Sequence, residues 1–277
     1  MKNLWTCNLT LLLVGLVSTL QASAANNQLQ VKVNRWIEVR RAVGQVRYLR
    51  GQTSKPASRG MRLQAVGEGI STGRGSSAVL AIDVGTGFIN ISENTQLIIS
   101  KLQTGRGGAR ITELQVKNGQ VRLQIRPLTN SSSRIEIHTP AGVAGVRGTL
   151  FGVSVKESGI TGVATKEGGV ATIAQGKTIL VNANYQNLTI PGEPPSDPVP
   201  LREDTRLNIS ELVANGSQVR IVGTVDSVNL LMIAKQQQKI DFRGKFDVTV
   251  PLPPNRKVEA VVVTPLGRKQ LYQLAVP

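Results

Sequence analysis

The sequence predicts an all-β protein, and two observations lead to that fold class. Valine, isoleucine, leucine and threonine are abundant, whereas aromatic residues are 3% and glycine is 28 of the 277 residues. This composition suits many short strands better than helices. Alternating apolar runs also recur with glycine-rich turn signals about every ten residues. We therefore expect a β-roll or β-sandwich domain followed by a second, smaller β-sandwich.

The first 24 residues have the pattern of a secretory signal peptide. Met1 and Lys2 precede an apolar stretch at residues 9–20, and residues 22–24 form an A-x-A cleavage site. We predict cleavage before Ala25; an uncleaved membrane anchor is the alternative. The mature protein would have no stable transmembrane span and would be exported to the periplasm or the cell surface of a bacterium. The only cysteine lies within this segment, so the mature chain must be stabilised by packing rather than by disulfides.

Residues 27–190 are predicted to form the first β domain. Its clearest local signal is the sequence LQVKNGQVRL at residues 114–123. A two-residue turn at Asn118-Gly119 would place the four apolar residues of this stretch opposite one another, all on one face. We therefore expect a β-hairpin here.

A proline-rich segment separates this domain from the C-terminal part of the chain. Five prolines lie between Ile190 and Pro200, and proline removes ladder donors and favours an extended conformation. We predict a semi-rigid linker at residues 191–204. Residues 205–277 contain six or seven short alternating runs and no cysteine, which suggests a small immunoglobulin-like (Ig-like) β-sandwich.

The stretch TPAGVAGVRGT, residues 139–149, has glycine at every third position from Gly142 to Gly148. A phosphate-binding loop would need a lysine beside the last glycine and a helix beginning there. Thr149 stands at that position instead, and apolar residues alternate from Phe151 to Val155 with the period of a strand. We therefore expect these glycines to let neighbouring chain segments approach closely rather than to hold a phosphate.

This stretch resembles the signature of the FecR domain, T-P-x-x-x-x-x-V-R-G-T-x-F, which follows an alternating strand. The resemblance covers roughly residues 66–191 and includes the segments GEGISTGRGSSAVLAID and ISENTQLII. The residues that match the signature, which we expect to be mainly structural, are Thr139, Pro140, Val146, Arg147, Gly148, Thr149 and Phe151.

The resemblance implies a FecR-like β-roll or sandwich in the cell envelope that is not an enzyme. The namesake proteins are periplasmic sensors that receive a signal from an outer-membrane transporter and pass it through the inner membrane to a sigma factor. Here only eight residues precede Leu9, so we expect no cytoplasmic anti-sigma domain in this chain. The partner that the resemblance implies is another envelope protein, such as an outer-membrane protein.

Arg147 and His138 each admit a ligand-binding interpretation and a structural one. The Arg147 guanidinium could bind a carboxylate or phosphate, or it could hold carbonyl or carboxylate groups within the fold; we favour the second. His138 is the only histidine, and zinc would need further histidine or cysteine ligands, so we expect a half-exposed strand residue. A serine triad would also require His138, and no G-x-S-x-G elbow occurs. We therefore predict no catalytic residue, no metal and no cofactor.

The chain is strongly basic, because 33 lysine and arginine residues against 17 acidic residues give a net charge of +16. Nucleic acid is a usual partner of such a chain, but the predicted export and the few aromatic residues argue against it. Our first hypothesis is a non-catalytic envelope protein that recognises another envelope protein or relays its state. The alternative is a basic scaffold that binds anionic polysaccharide or peptidoglycan. A solvated basic surface with no specific partner would explain the charge equally well.

Overall fold

The fold is built almost entirely from β-strands, as the sequence predicts. The computed structural model describes residues 35–277. This part of the chain contains 24 strands and one short 3-10 segment, Arg106–Gly108. No helix in it is long and apolar enough to cross a membrane. The predicted signal peptide lies outside the described residues.

The first 17 strands belong to one connected set of pairings, which we call the first sandwich. They are β1 (Ile37–Val43), β2 (Val46–Arg50), β3 (Thr53–Pro56), β4 (Arg62–Leu63), β5 (Glu68–Thr72), β6 (Ser77–Ile82), β7 (Gly87–Ile91), β8 (Gln96–Thr104), β9 (Arg110–Ile125), β10 (Arg134–Thr139), β11 (Gly142–Val146), β12 (Leu150–Val155), β13 (Thr161–Glu167), β14 (Gly169–Ala174), β15 (Lys177–Asn182), β16 (Tyr185–Thr189) and β17 (Val199–Pro200).

These strands form two layers that share the long strand β9. Layer one has the order β4-β1-β6-β7-β9-β12-β13-β16-β17. Layer two has the order β3-β2-β5-β8-β9-β10-β11-β14-β15. Neighbouring strands are antiparallel except β9 and β10, which run parallel. The alternating apolar residues of both layers pack into one core that extends from Ile37 to Val181.

The predicted hairpin at Asn118-Gly119 is wrong, because the chain continues through these residues as one strand. The first half of β9 pairs with β8 and β10 in layer two, and its second half pairs with β7 and β12 in layer one. Gly119 has a φ of 93°, and a Cβ there would lie 2.6 Å from Thr95 Cα. The glycine therefore lets β9 pass from one layer to the other. The apolar residues of this stretch are buried, but they follow one another along a single strand: Leu114, Val116, Val121 and Leu123.

Seven further strands form the second sandwich. They are β18 (Asn208–Asn215), β19 (Gln218–Thr224), β20 (Leu230–Ile233), β21 (Gln236–Gln237), β22 (Lys245–Pro251), β23 (Lys257–Val263) and β24 (Lys269–Ala275). One sheet has the order β18-β19-β22 and the other β21-β20-β23-β24. If these strands are labelled A to G along the chain, the two sheets are A-B-E and D-C-F-G. A constant-type Ig domain has strand D in the first of these sheets, and the strand arrangement is otherwise the same. Apolar residues from both sheets form a core separate from that of the first sandwich.

The proline-rich segment is attached to layer one rather than free. Val199 and Pro200 pair with β16, and the Ser196 N–H donates to the Leu188 carbonyl at 2.9 Å. The described residues form one compact unit. The limits that we predict for the two domains, at residues 190 and 205, stay a prediction.

Candidate functional site

The signature stretch begins with a tight β-hairpin. Strands β10 and β11 are antiparallel, and Thr139 pairs with Gly142. The Gly142 N–H donates to Thr139 Oγ1 at 3.3 Å, and the Thr161 hydroxyl donates to the same oxygen at 2.9 Å. The threonine hydroxyl therefore closes the turn that contains Pro140 and links it to β13.

The glycines of the signature lie where another chain segment comes very close. A Cβ on Gly142 would overlap the Ile173 carbonyl of β14, and one on Gly148 would lie 2.7 Å from Pro127 Cα. Gly145 has more room, since its nearest neighbouring atom would be 3.9 Å away. Two of the three glycines are thus required by close packing between strands and loops, as expected from the sequence.

The apolar end of the signature belongs to the core. Val146 and Phe151 are buried in the core of the first sandwich. Thr149, which lies between them in the chain, exchanges two backbone hydrogen bonds with Ile125 at 2.9 and 3.0 Å. This part of the signature therefore attaches the start of β12 to the end of β9.

Arg147 points away from the core and is exposed. Its Nη2 donates to the backbone carbonyl of Asn130 at 3.2 Å. Among residues 35–277, no carboxylate oxygen lies within 4.0 Å of this guanidinium. The contact agrees with the structural interpretation of Arg147, while part of the side chain stays accessible to solvent.

His138 lies in a cluster of charged groups on the outer face of layer two. The parallel pairing of β9 with β10 places Glu113 beside Glu136. His138 Nε2 is 3.2 Å from a Glu136 carboxylate oxygen and 3.9 Å from one of Glu113. Glu113 and Glu136 therefore lie where further metal ligands beside His138 would be needed, and the sequence analysis did not identify them as such. Glu136 is two residues from His138 on the same face of β10, so alternation is a local signal for it, whereas the position of Glu113 depends on which strands pair.

Two cations already neutralise these carboxylates. Lys101 Nζ is 3.0 Å from Glu113, and the Arg134 guanidinium is 2.7 Å from Glu136 and 3.4 Å from Glu113. A metal ion at this position would have to displace Lys101 and Arg134 from the carboxylates and would be repelled by their positive charges. The cluster is better explained as a balanced ion-pair network on a sheet surface.

The outer face of layer one contacts the second sandwich through small residues. A Cβ on Gly152 of β12 would overlap the Pro265 carbonyl and lie 2.9 Å from Leu266 N. Gln120 Nε2 donates to the Pro265 carbonyl at 2.6 Å, and the Ser154 hydroxyl donates to the Val228 carbonyl at 2.5 Å. Strand β12 therefore has Phe151, Val153 and Val155 in the core, and Gly152 and Ser154 against the second sandwich.

Lys156, which follows β12, is buried at this contact. Its Nζ donates to the Asp241 carbonyl at 3.3 Å. Burial lowers the pKa of Lys156 to about 8, against the opposing effect of the Asp241 and Asp226 carboxylates. Sequence reasoning did not single out this lysine, because its burial depends on the second sandwich.

A salt bridge at another point joins the two sandwiches. Lys269 Nζ lies 2.6 Å from the Glu93 carboxylate, which also accepts the Gly75 N–H at 2.8 Å. Burial tends to raise the pKa of Glu93, but hydrogen bonds from Lys269 and Gly75 hold it below its ordinary value. The two sandwiches therefore make both polar and packing contacts.

Residues 68–171 match the family model described as FecR protein. The matched segment runs from β5 into β14 and includes the whole signature stretch. The chain thus contains a FecR domain, as its signature predicts. A FecR domain supports a role in sensing or relaying a signal, and FecR proteins are associated with the cell envelope.

Parts of three solved structures are similar to this chain. Two are crystal structures of proteins assigned as anti-sigma factors from Parabacteroides distasonis ATCC 8503. One, at 2.50 Å resolution, is 14% identical with a TM-score of 0.39 over 47% of this chain, and the match spans 59% of that protein's length. The other, at 1.65 Å, is 12% identical with a TM-score of 0.41 over 51% of this chain and 68% of that one.

The third similar structure is a polysaccharide lyase, 9% identical with a TM-score of 0.20 over 88% of this chain and 40% of that one. These TM-scores are too low to transfer an activity or a partner to this chain. No curated protein matches the sequence.

Proposed function

We propose that this protein is a non-catalytic component of the bacterial cell envelope, exported after removal of residues 1–24, that recognises another envelope protein and relays its state. The FecR domain at residues 68–171 supports sensing or relay in general. The observation that favours a relay within this chain is the position of β12. One face of β12 lies in the core with Phe151, and the other contacts the second sandwich through Gly152. Since packed interiors deform little, a shift of β12 would affect both sandwiches.

We place recognition of the partner at the edge strand β15. Among the described residues, only β14 pairs with β15, so its other edge has free backbone groups. Leu180 of β15 is 56% exposed, and Ile173 of β14 is 40% exposed. A strand of the partner would add to this edge, with backbone hydrogen bonds supplying affinity and Leu180 contributing to the choice of partner.

A pull-down from detergent-solubilised envelope of the source cells tests this function. The bait is the mature chain from Ala25, and the comparison is between Leu180→Asp and the matched control Val213→Asp, which alters an exposed apolar residue of strand β18. We expect one discrete protein that persists at high salt, is retained by the control and is lost from Leu180→Asp. Equal retention by both variants would exclude the β15 edge, and recovery of no salt-resistant protein would contradict the function.

The net charge of +16 favours a second candidate function, a basic scaffold that binds anionic polysaccharide or peptidoglycan. Binding through diffuse charge should fall steeply as ionic strength rises, because exposed charges are screened within about 10 Å at 0.1 M salt. Recovery of salt-sensitive polymer alone in the same pull-down would support this candidate instead.

A further inference from the structure

Three connections of the first sandwich line an open pocket of about 350 Å³. They are the turn between β6 and β7, the 3-10 segment before β9, and the connection between β9 and β10. We call this the arginine pocket, and its polar lining residues are Thr86, Arg110, Arg126, Thr129, Asn130 and Ser133. Its volume falls in the range of ordinary small-ligand sites.

The charge in the arginine pocket is positive and uncompensated. Arg110 and Arg126 both line it, and no aspartate or glutamate does. Within the part of the chain that the structure describes, neither guanidinium has a carboxylate oxygen within 4.0 Å. Asp83, the carboxylate beside the β6–β7 turn, is already paired with the buried Arg35 at 2.7 Å. The pocket therefore offers two cations to an anion from outside.

Hydrogen bonds hold this lining in place. Arg110 Nη1 donates to Thr86 Oγ1 at 3.0 Å, and its backbone N–H donates to Ser133 Oγ at 2.8 Å. Asn130 Nδ2 donates to the Gly107 carbonyl at 2.9 Å. Arg110, Ser133 and Asn130 are thus held in position before a ligand binds, which lowers the entropic cost of binding.

The FecR signature packs against the β9–β10 connection, which lines the arginine pocket. Gly148 packs against Pro127, where a side chain would collide, and the Leu128 N–H donates to the Arg147 carbonyl at 2.7 Å. The Arg147 guanidinium donates to the carbonyl of Asn130, a lining residue, at 3.2 Å. The R-G pair of the signature therefore positions the β9–β10 connection that lines the pocket.

We propose that the arginine pocket binds an acidic saccharide unit, with the guanidinium groups of Arg110 and Arg126 on its oxyanion. Guanidinium groups bind carboxylate and phosphate through paired, charge-assisted hydrogen bonds. The hydroxyl and amide groups of Thr129, Asn130 and Ser133 suit the hydroxyls of a sugar ring. This site does not depend on the proposed recognition of a protein partner at β15. The pocket lies at β9 and its connections, and three strands separate β9 from β15 in layer two.

Isothermal titration of the mature chain tests the site with glucuronate, glucose 6-phosphate, inorganic phosphate and neutral glucose. We expect saturable binding of an acidic sugar, weaker binding of inorganic phosphate and none of glucose. Arg126→Gln should lower the affinity for the acidic sugar about tenfold or more, since it removes a charge-assisted contact. Arg126→Lys should have an intermediate effect, because it keeps the charge without the paired donors.

The matched control is Arg41→Gln, which removes an exposed arginine of β1 that does not line the pocket. It should change the affinity less than about twofold. An equal loss in this control, or no saturable binding of either acidic sugar, would overturn the site. Inorganic phosphate binding as tightly as the acidic sugars would overturn the saccharide assignment. Unchanged circular dichroism and melting temperature in Arg126→Gln would show that a loss of binding is not a loss of folding.

Discussion

At the scale of single residues, the signature combines core and surface roles within a few positions. Phe151 is completely buried, whereas Arg147 is exposed and contacts the Asn130 carbonyl. Gly148 lies between them and permits the close approach of Pro127. These residues therefore join the end of β9 to the start of β12, and only Arg147 has a side chain available to solvent.

Phe151→Ala should lower the free energy of unfolding by about 3–5 kcal/mol, because it leaves a cavity in a close-packed core. Phe88→Ala is the matched control, since Phe88 lies on β7 of the same layer and is 46% exposed. We expect the control to change stability by about 0.5 kcal/mol or less. Urea unfolding of both variants measures the difference, and similar losses would contradict the core role of Phe151.

At the scale of elements, β9 determines how the two layers are joined. It is 16 residues long and pairs with four different strands, two in each layer. Its burial pattern changes phase at Gly119, so that residues on both sides of the glycine point into the same core. A strand without this change would expose the apolar residues of one half.

Gly119→Ala should destabilise the fold by about 1–3 kcal/mol, because the new Cβ would collide with Thr95 and the residue needs a positive φ. Gly75→Ala is the control: its φ is also positive, at 64°, but no atom lies within 4 Å of the added Cβ. Chemical denaturation should show a clearly smaller loss for Gly75→Ala. Equal losses of unfolding free energy in the two variants would mean that the close approach to Thr95 does not contribute to the destabilisation.

At the scale of the whole molecule, the second sandwich covers part of the outer face of layer one. Gly152 and Ser154 of β12 contact Pro265 and Val228, and Lys156 is buried beside Asp241. Among the described residues, the other edge of β15 has no strand partner, and no residue of the second sandwich lines the arginine pocket. Both proposed sites are therefore open to a partner or ligand from outside.

The burial of Lys156 should make stability depend on pH. Its pKa is about 8 in the folded protein against an ordinary value of 10.5, so the unfolded chain binds more protons between these pH values. The free energy of unfolding therefore rises with pH through this window, and below pH 8 the full cost of burying the ammonium is present. Lys156→Met should be more stable than the wild type at pH 7, and this advantage should shrink as the pH rises from 8 to 10.

Lys166→Met is the control, since Lys166 is exposed on the adjacent strand β13. Its unfolding free energy should follow the wild-type pH profile. Urea titrations at several pH values from 7 to 10 compare the three proteins. Parallel profiles for Lys156→Met and the wild type would show that Lys156 is protonated and solvated in both states.

The sequence by itself determined the all-β class, the strand that contains Phe151 and the close approach at Gly142 and Gly148. These depend on period-two alternation and on backbone freedom, which are local properties. The tertiary structure alone decided the path of β9, where Asn118-Gly119 has the pattern of a hairpin turn but passes between layers beside Thr95. It also decided the cluster of Glu113 with His138, the arginine pocket and the burial of Lys156. Each of these requires segments distant in sequence to meet, and alternation specifies which face of a strand is buried but not which strand will be its neighbour.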